Sequence, residues 1–134
     1  MKREPINPDS LFSVEGAGLS HAIFSQGKKT LHISGQVAMD AEGKIVGAGD
    51  LAAQTNQALK NLGNILASVK ASPENLVQIR TYVVNYSPEQ FPTILSAIIP
   101  FYGGATPAAH TLVGVSSLAV PDLLIEIEGI AVLD

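Results

Sequence analysis

The chain has 134 residues, the length of one ordinary domain, and 46% of them are hydrophobic against 15% charged. With a mean hydropathy of +0.27 it has more apolar surface to hide than a typical small monomer, which favours a homo-oligomer. A net charge of −4, scattered Lys and Arg, three tyrosines and no tryptophan argue against a nucleic-acid surface, and the absence of cysteine excludes disulfides, thiol nucleophiles and cysteine-ligated metals.

The first residues, MKREPINPDS, carry basic side chains with no apolar run behind them, and no stretch reaches the roughly 18 uninterrupted apolar residues of a membrane span. The expectation is a soluble cytoplasmic protein with no membrane partner, one domain over residues 1–134. Residues 10 to 37 then read as short strands: SLFSV, SHAIFSQ and TLHISGQV, the last two forming a hairpin about Gly27-Lys28-Lys29. After the glycine-rich DAEGKIVGAGD, Asp50 caps a helix whose apolar stripe is Leu51, Thr55, Leu59, Leu62, Leu66 and Val69. Pro73 marks its end.

NLVQIRTYVVN, at 75–85, sets Val77, Ile79, Thr81 and Val83 against Gln78, Arg80, Tyr82 and Val84, and is the strongest strand pattern in the chain. Ser87-Pro88-Glu89-Gln90 is a capping box with proline at the first helical position. The helix it opens runs out at Pro100 and Gly103-Gly104, and HTLVGVSSL and LLIEIEGIAVL supply two more strands through Pro121-Asp122. Two helices on one face of a mostly antiparallel or mixed sheet make an α+β sandwich. The second sheet face reads as apolar and in need of a partner, which predicts self-association across it.

Four segments in this order resemble the Rid family, also called YjgF or L-PSP: ISGQV at 33–37, NLVQIRTYVVN at 75–85, TPAAHTLVGVSSL at 106–118 and IEIEGIAV at 125–132. The resemblance implies a chorismate-mutase-like fold, a homotrimer with a central β-barrel, and clefts between subunits. It also implies hydrolysis of reactive enamines and imines to 2-keto acids and ammonia, with no metal or organic cofactor. The family's substrate clamp is an arginine ahead of the VGV-like strand, and here that place holds His110. A histidine is usually uncharged at neutral pH and has no planar fork for a carboxylate, so carboxylate binding at that place should weaken. Leu19 and Leu95 stand where the resemblance implies a pocket tyrosine and asparagine, while Ser34, Gly35 and Glu126 retain the family's cleft-lining and water-positioning places.

Each of these residues also has a plainer reading. Glu126 and Glu128 share one strand face and can be solvated edge charges, or Glu126 can activate water for attack on an imine carbon. His110 is either a chemically idle structural histidine or a hydrogen-bond donor and proton carrier. His21 and His32 have no comparable support, and the three histidines show no metal-ligand spacing. Ser34 lacks the context of a nucleophile and is expected to hydrogen-bond or pack beside Gly35. Arg80 reads as a surface or inter-subunit ion pair, and Gly114 as a strand bulge or a close backbone approach.

The sequence therefore predicts a cofactor-independent enamine or imine hydrolase, or a relative acting on a less acidic small molecule. Its catalytic residues would be Glu126 and His110, with Leu19, Ser34, Gly35 and Leu95 lining the substrate. The alternative is a trimeric small-molecule-binding or protein-interaction module without catalysis. Ribonuclease activity, attached to some relatives, conflicts with the isoelectric point of 5.2 and the lack of a basic groove.

Overall fold

Alternating burial along four β-branched segments and a one-sided apolar stripe on two helices generate the architecture of the computed structural model, which describes residues 1–134. In chain order the elements are β1 (Lys2–Ile6), β2 (Ala22–Gln26), β3 (Lys29–Val37), α1 (Leu51–Ser68), β4 (Leu76–Val84), α2 (Phe91–Phe101), β5 (Ala109–Val115) and β6 (Ile125–Leu133). The main sheet runs β3-β6-β4-β5, and β1 and β2 form a separate two-stranded ribbon. β6 is antiparallel to both neighbours, whereas β4 and β5 are parallel because α2 carries the chain back between them. The sheet is thus mixed, with both helices on one side, and the molecule is α+β as the pattern predicts.

The core lies between helices and sheet. Ile33, Leu76, Ile79, Val83, Ile125, Ile127 and Ala131 point inward from the strands, against Ala58, Leu59, Leu62 and Leu66 of α1 and Ile94 and Ile98 of α2. α1 starts where expected, since the Asp50 carboxylate accepts from the Ala53 N–H at 3.0 Å and satisfies a free helix donor. Its buried stripe also includes Gln54, which is wholly inside. Gln54 donates to the carbonyls of Gly47 (3.2 Å) and Asp122 (2.8 Å) and accepts from the Leu124 N–H (2.8 Å). One amide thereby ties the loops before α1 and before β6 together. Gln54→Ala should cost about 2–3 kcal/mol by leaving these backbone groups short of partners, measured as a lower urea midpoint with an unchanged m-value.

Several sequence expectations are corrected. SLFSV is not a strand: hydrogen bonds from Leu11 N–H to Pro8 O (3.1 Å) and Ala17 N–H to Val14 O (3.0 Å) turn this segment instead, and Leu11 and Phe12 stay exposed. The unforeseen β1 takes its place, pairing antiparallel with β2 from Lys2 opposite Gln26 to Ile6 opposite Ala22. Hence β2 and β3 are not a hairpin; β3 pairs with β6. At the break between them, a β-carbon on Gly27 would lie 2.5 Å from Val132 Cγ1 and 2.7 Å from Leu133 O, so the backbone crosses tightly over the end of β6.

The stripe of α1 stops at Leu66, and Val69, 42% exposed, follows the last helical residue. In β4 a register slip between Leu76 and Gln78 leaves Val77 in a bulge, and Leu76 takes the inward position. Pro88–Gln90 form a 3₁₀ turn before α2, fixed by the Ser87 N–H donating to Gln90 Oε1 at 2.9 Å. Gly114 is a close approach, with Tyr86 Cβ 3.0 Å from where a β-carbon would sit.

The outer sheet face is less apolar than the composition suggested. Ile130, Val84 and Val113 stand on it, but its centre carries His32, Ser34, Gln78, Arg80, Tyr82, Glu126 and Glu128. No helix is long and apolar enough to cross a membrane.

Candidate functional site

A bulge in β3 builds the first part of the site. Pairing with β6 runs from Ile33 opposite Gly129 to Gln36 opposite Ile127, so Ser34 and Gly35 together face the single residue Glu128. The bulge turns Gly35 toward the outer face, where the Glu126 side chain lies over it. A β-carbon at Gly35 would fall 2.5 Å from Glu126 Cδ and 2.9 Å from Oε2, so only glycine leaves room for this placement of the carboxylate. Ser34, exposed, and Glu126, half-buried, flank it.

Beside this group the outer face carries a polar cluster. The Tyr82 hydroxyl donates to Glu128 Oε1, and Arg80 Nη1 approaches the same oxygen at 4.0 Å. That hydrogen bond, with help from desolvation and the neighbouring carboxylates, raises the Tyr82 phenol above its ordinary value and keeps it a donor at neutral pH. His32, Ser34, Gln78, Arg80 and Glu128 rim an open concavity of about 290 Å³. Neither Tyr82 nor Glu128 is among the site residues expected from the sequence. The signal was present as alternation, because Tyr82 is opposite Glu126, and Arg80 opposite Glu128, across the β4–β6 ladder.

The other three expected residues gather elsewhere. His110 is the second residue of β5, opposite Ile79 on the face covered by the helices, and its Nε2 lies 2.8 Å from Oγ1 of the fully buried Thr81. Burial pushes the imidazole down to about 4, only partly opposed by a hydrogen bond with the Gly18 backbone, so His110 is neutral at pH 7. Gly18 also meets α2: a β-carbon there would lie 2.6 Å from Leu95 Cδ1, and φ is +68° at Gly16 and +70° at Gly18. The next residues are pinned to the start of β5 by Ser20, whose N–H donates to Ala108 O (3.0 Å) and whose hydroxyl donates to Pro107 O (2.6 Å). Leu19, Leu95 and His110 therefore converge around Gly18. Leu19 also lines a neighbouring cavity of about 380 Å³ with Val14, Glu15, Ile99 and Tyr102.

The six residues thus form two groups on opposite faces of one sheet. One group is Ser34, Gly35 and Glu126; the other is Leu19, Leu95 and His110. Within one chain the sheet separates them, and His110 offers no positive charge to a carboxylate.

Residues 16–133 match the family model described as Endoribonuclease L-PSP. A RutC family protein of Synechocystis is 31% identical over 104 residues, 77% of this chain and 78% of that one. The rat protein named 2-iminobutanoate/2-iminopropanoate deaminase is 33% identical over 105 residues, 78% of this chain and 73% of its own. Among solved structures, YyfB of Yersinia pestis, described as a protein of unknown function of the conserved Rid family, is 48% identical. It superposes with a TM-score of 0.96, covering 99% of this chain and all of that one.

Proposed function

The chain belongs to the endoribonuclease L-PSP family, which is the Rid or YjgF family, and on that premise we propose that it hydrolyses small reactive imines or enamines to the corresponding carbonyl compounds and ammonia. The observation that supports this reading most directly is the Glu126 carboxylate laid over Gly35 in the β3 bulge. Water held by that carboxylate would add to the imine carbon while Glu126 takes one of its protons. Glu126 would pass that proton to the nitrogen to give the carbinolamine, then take the proton of the new hydroxyl and deliver it to the nitrogen as the C–N bond breaks, leaving the carbonyl compound and ammonia. The reaction needs no oxidant, reductant or co-reactant besides water.

Assembly enters because the two groups of site residues lie on opposite sheet faces. In this proposal copies of the chain associate, as a trimer with its sheets turned toward a common barrel. The Ser34, Gly35 and Glu126 group of one copy would then meet the Leu19, Leu95 and His110 group of the next. The latter would supply a largely apolar wall with a neutral imidazole, suited to a substrate with a small uncharged body. The composition supports association, since the apolar fraction is high for the chain's length. The formal charge of −4 and the few basic residues count against RNA as the substrate.

The test is ammonia release from 2-iminopropionate generated in situ by an amino-acid oxidase, with the oxidase alone as the reference. Acceleration above that reference is expected. No acceleration with this or other small imines would leave a binding module without catalysis as the better reading.

A further inference from the structure

The charges of the site residues are unbalanced, and their sign selects a substrate. Glu126 lies half-buried over Gly35, and no Lys, Arg or His of its own chain forms an ion pair with it. Arg80 is not its counter-ion: the guanidinium faces Glu128 at 4.0 Å, and that carboxylate also accepts from the Tyr82 hydroxyl. Arg3, the chain's other arginine, is held on backbone carbonyls, its Nε donating to Leu76 O at 2.7 Å and its Nη2 to Thr106 O. A carboxylate partly withdrawn from water and left without a cation attracts one from a ligand and repels a second anion.

The second group of site residues adds no positive charge. Leu19 and Leu95 are half-buried hydrocarbon side chains. The His110 imidazole is neutral at pH 7, and its ring is held within its own chain by Thr81 Oγ1 at 2.8 Å and by the Gly18 backbone. None of the three offers the paired donors that hold a carboxylate. An anionic substrate would meet Glu126 on one side and hydrocarbon on the other, on a chain of formal charge −4. A cation with an apolar body is matched on both sides, its charge by Glu126 and its body by the leucines. An imine gains that charge when its nitrogen takes a proton, and the iminium carbon is then more open to attack by water.

We propose that the site prefers imines that carry no carboxylate, bound as iminium ions with the nitrogen toward Glu126 of one copy and the hydrocarbon body against Leu19 and Leu95 of the next. The oxygen of water bonds to the iminium carbon, the C–N bond breaks, and both water protons leave with the nitrogen as ammonium, so that the products are a ketone or aldehyde and NH4+. The class of reaction that supplies such imines is the oxidation of primary amines. This deepens the imine-hydrolase reading and rests on it for turnover and for the meeting of two copies, whereas the preference for a cation rests on the unpaired Glu126.

The experiment begins with calorimetric titration of the full chain by benzamidine, a stable planar analogue of an iminium ion, and by benzoate, which has nearly the same shape and the opposite charge. Benzamidine should bind about tenfold or more tighter than benzoate, and Glu126→Gln should remove that difference. Leu19→Ala should weaken benzamidine while leaving the small cation acetamidine unchanged, a split that a general loss of structure would not produce. No binding of benzamidine, or benzoate binding as tightly in the wild type, would overturn the proposal without recourse to any variant. Ammonia release is then compared for two imines generated in situ by oxidases: the imine of 1-phenylethylamine and that of phenylglycine, which differ by a methyl in place of a carboxylate. The first should have a kcat/KM roughly tenfold or more above the second. Equal or faster turnover of the phenylglycine imine overturns the substrate preference and leaves the imine-hydrolase reading standing. Benzamidine binding with no acceleration of either imine overturns the hydrolase reading and leaves the preference for a cation standing.

Discussion

Glu126→Gln is expected to lower ammonia release from 2-iminopropionate by about 10²- to 10⁴-fold, the range over which a positioned general base contributes, while leaving the fold and the molecular mass in solution unchanged. The substitution keeps the shape of the side chain over Gly35 and removes only its capacity to take and return a proton. Its position is set by the bulge, where a β-carbon on residue 35 would come 2.5 Å from Glu126 Cδ. Gly35→Ala is therefore the geometric counterpart: the carboxylate stays but must move, and turnover should fall without loss of the titrating group. The pair is read from steady-state rates, with the molecular mass in solution as a control. Glu126→Gln with wild-type kcat/KM would remove Glu126 from the mechanism.

Acidification between pH 6.5 and 4 should destabilise the protein by roughly 3 kcal/mol through His110 alone. The imidazole titrates near 6.5 when unfolded and near 4 when folded, because burial disfavours its charged form. Between these values the unfolded chain binds the proton and the native one resists it. The stabilisation is fully present above pH 6.5, declines as pH falls through the window and has gone below about 4. Urea unfolding at pH 7.5, 6.5, 5.5 and 4.5, at one protein concentration, measures the slope. His110→Leu by itself strands the buried Thr81 hydroxyl, so the clean comparison is the double variant His110→Leu, Thr81→Val, in which both partners become apolar. Its stability should be markedly flatter across the window; an undiminished slope would assign the pH dependence to other groups.

These two residues show where reading the sequence succeeded and where it stopped. The family resemblance singled out Glu126, Gly35 and His110 as candidates, and period-two alternation correctly gave Tyr82 and Arg80 one common face. Alternation could not reveal the bulges. Each inserts one residue into a ladder, so Gly35 turns outward and Val77 leaves the inward row, and such a slip leaves no periodic trace. The same limitation hid β1: a five-residue strand of mixed burial containing Pro5 is defined only by the strand it pairs with, whereas SLFSV has the composition of a strand and no partner.

By itself the sequence determined the presence of the two helices with Asp50 at the start of the first, the alternation of β4 from Gln78 to Val84, the shared face of Glu126 and Glu128 in β6, and membership of the family. These depend on contacts a few residues apart or on local periodicity, which any reading along the chain can see. Only the tertiary structure decided that β3 pairs with β6 rather than with β2, that Gln54 is an internal clamp, and that the expected site residues divide between two faces of the sheet. It also decided that His110 is partly buried and neutral, while Arg80 pairs with Glu128 on the outer face. Those outcomes depend on which distant segments pack together, since burial and charge partners set a side chain's chemistry, and both are supplied by residues far away in sequence.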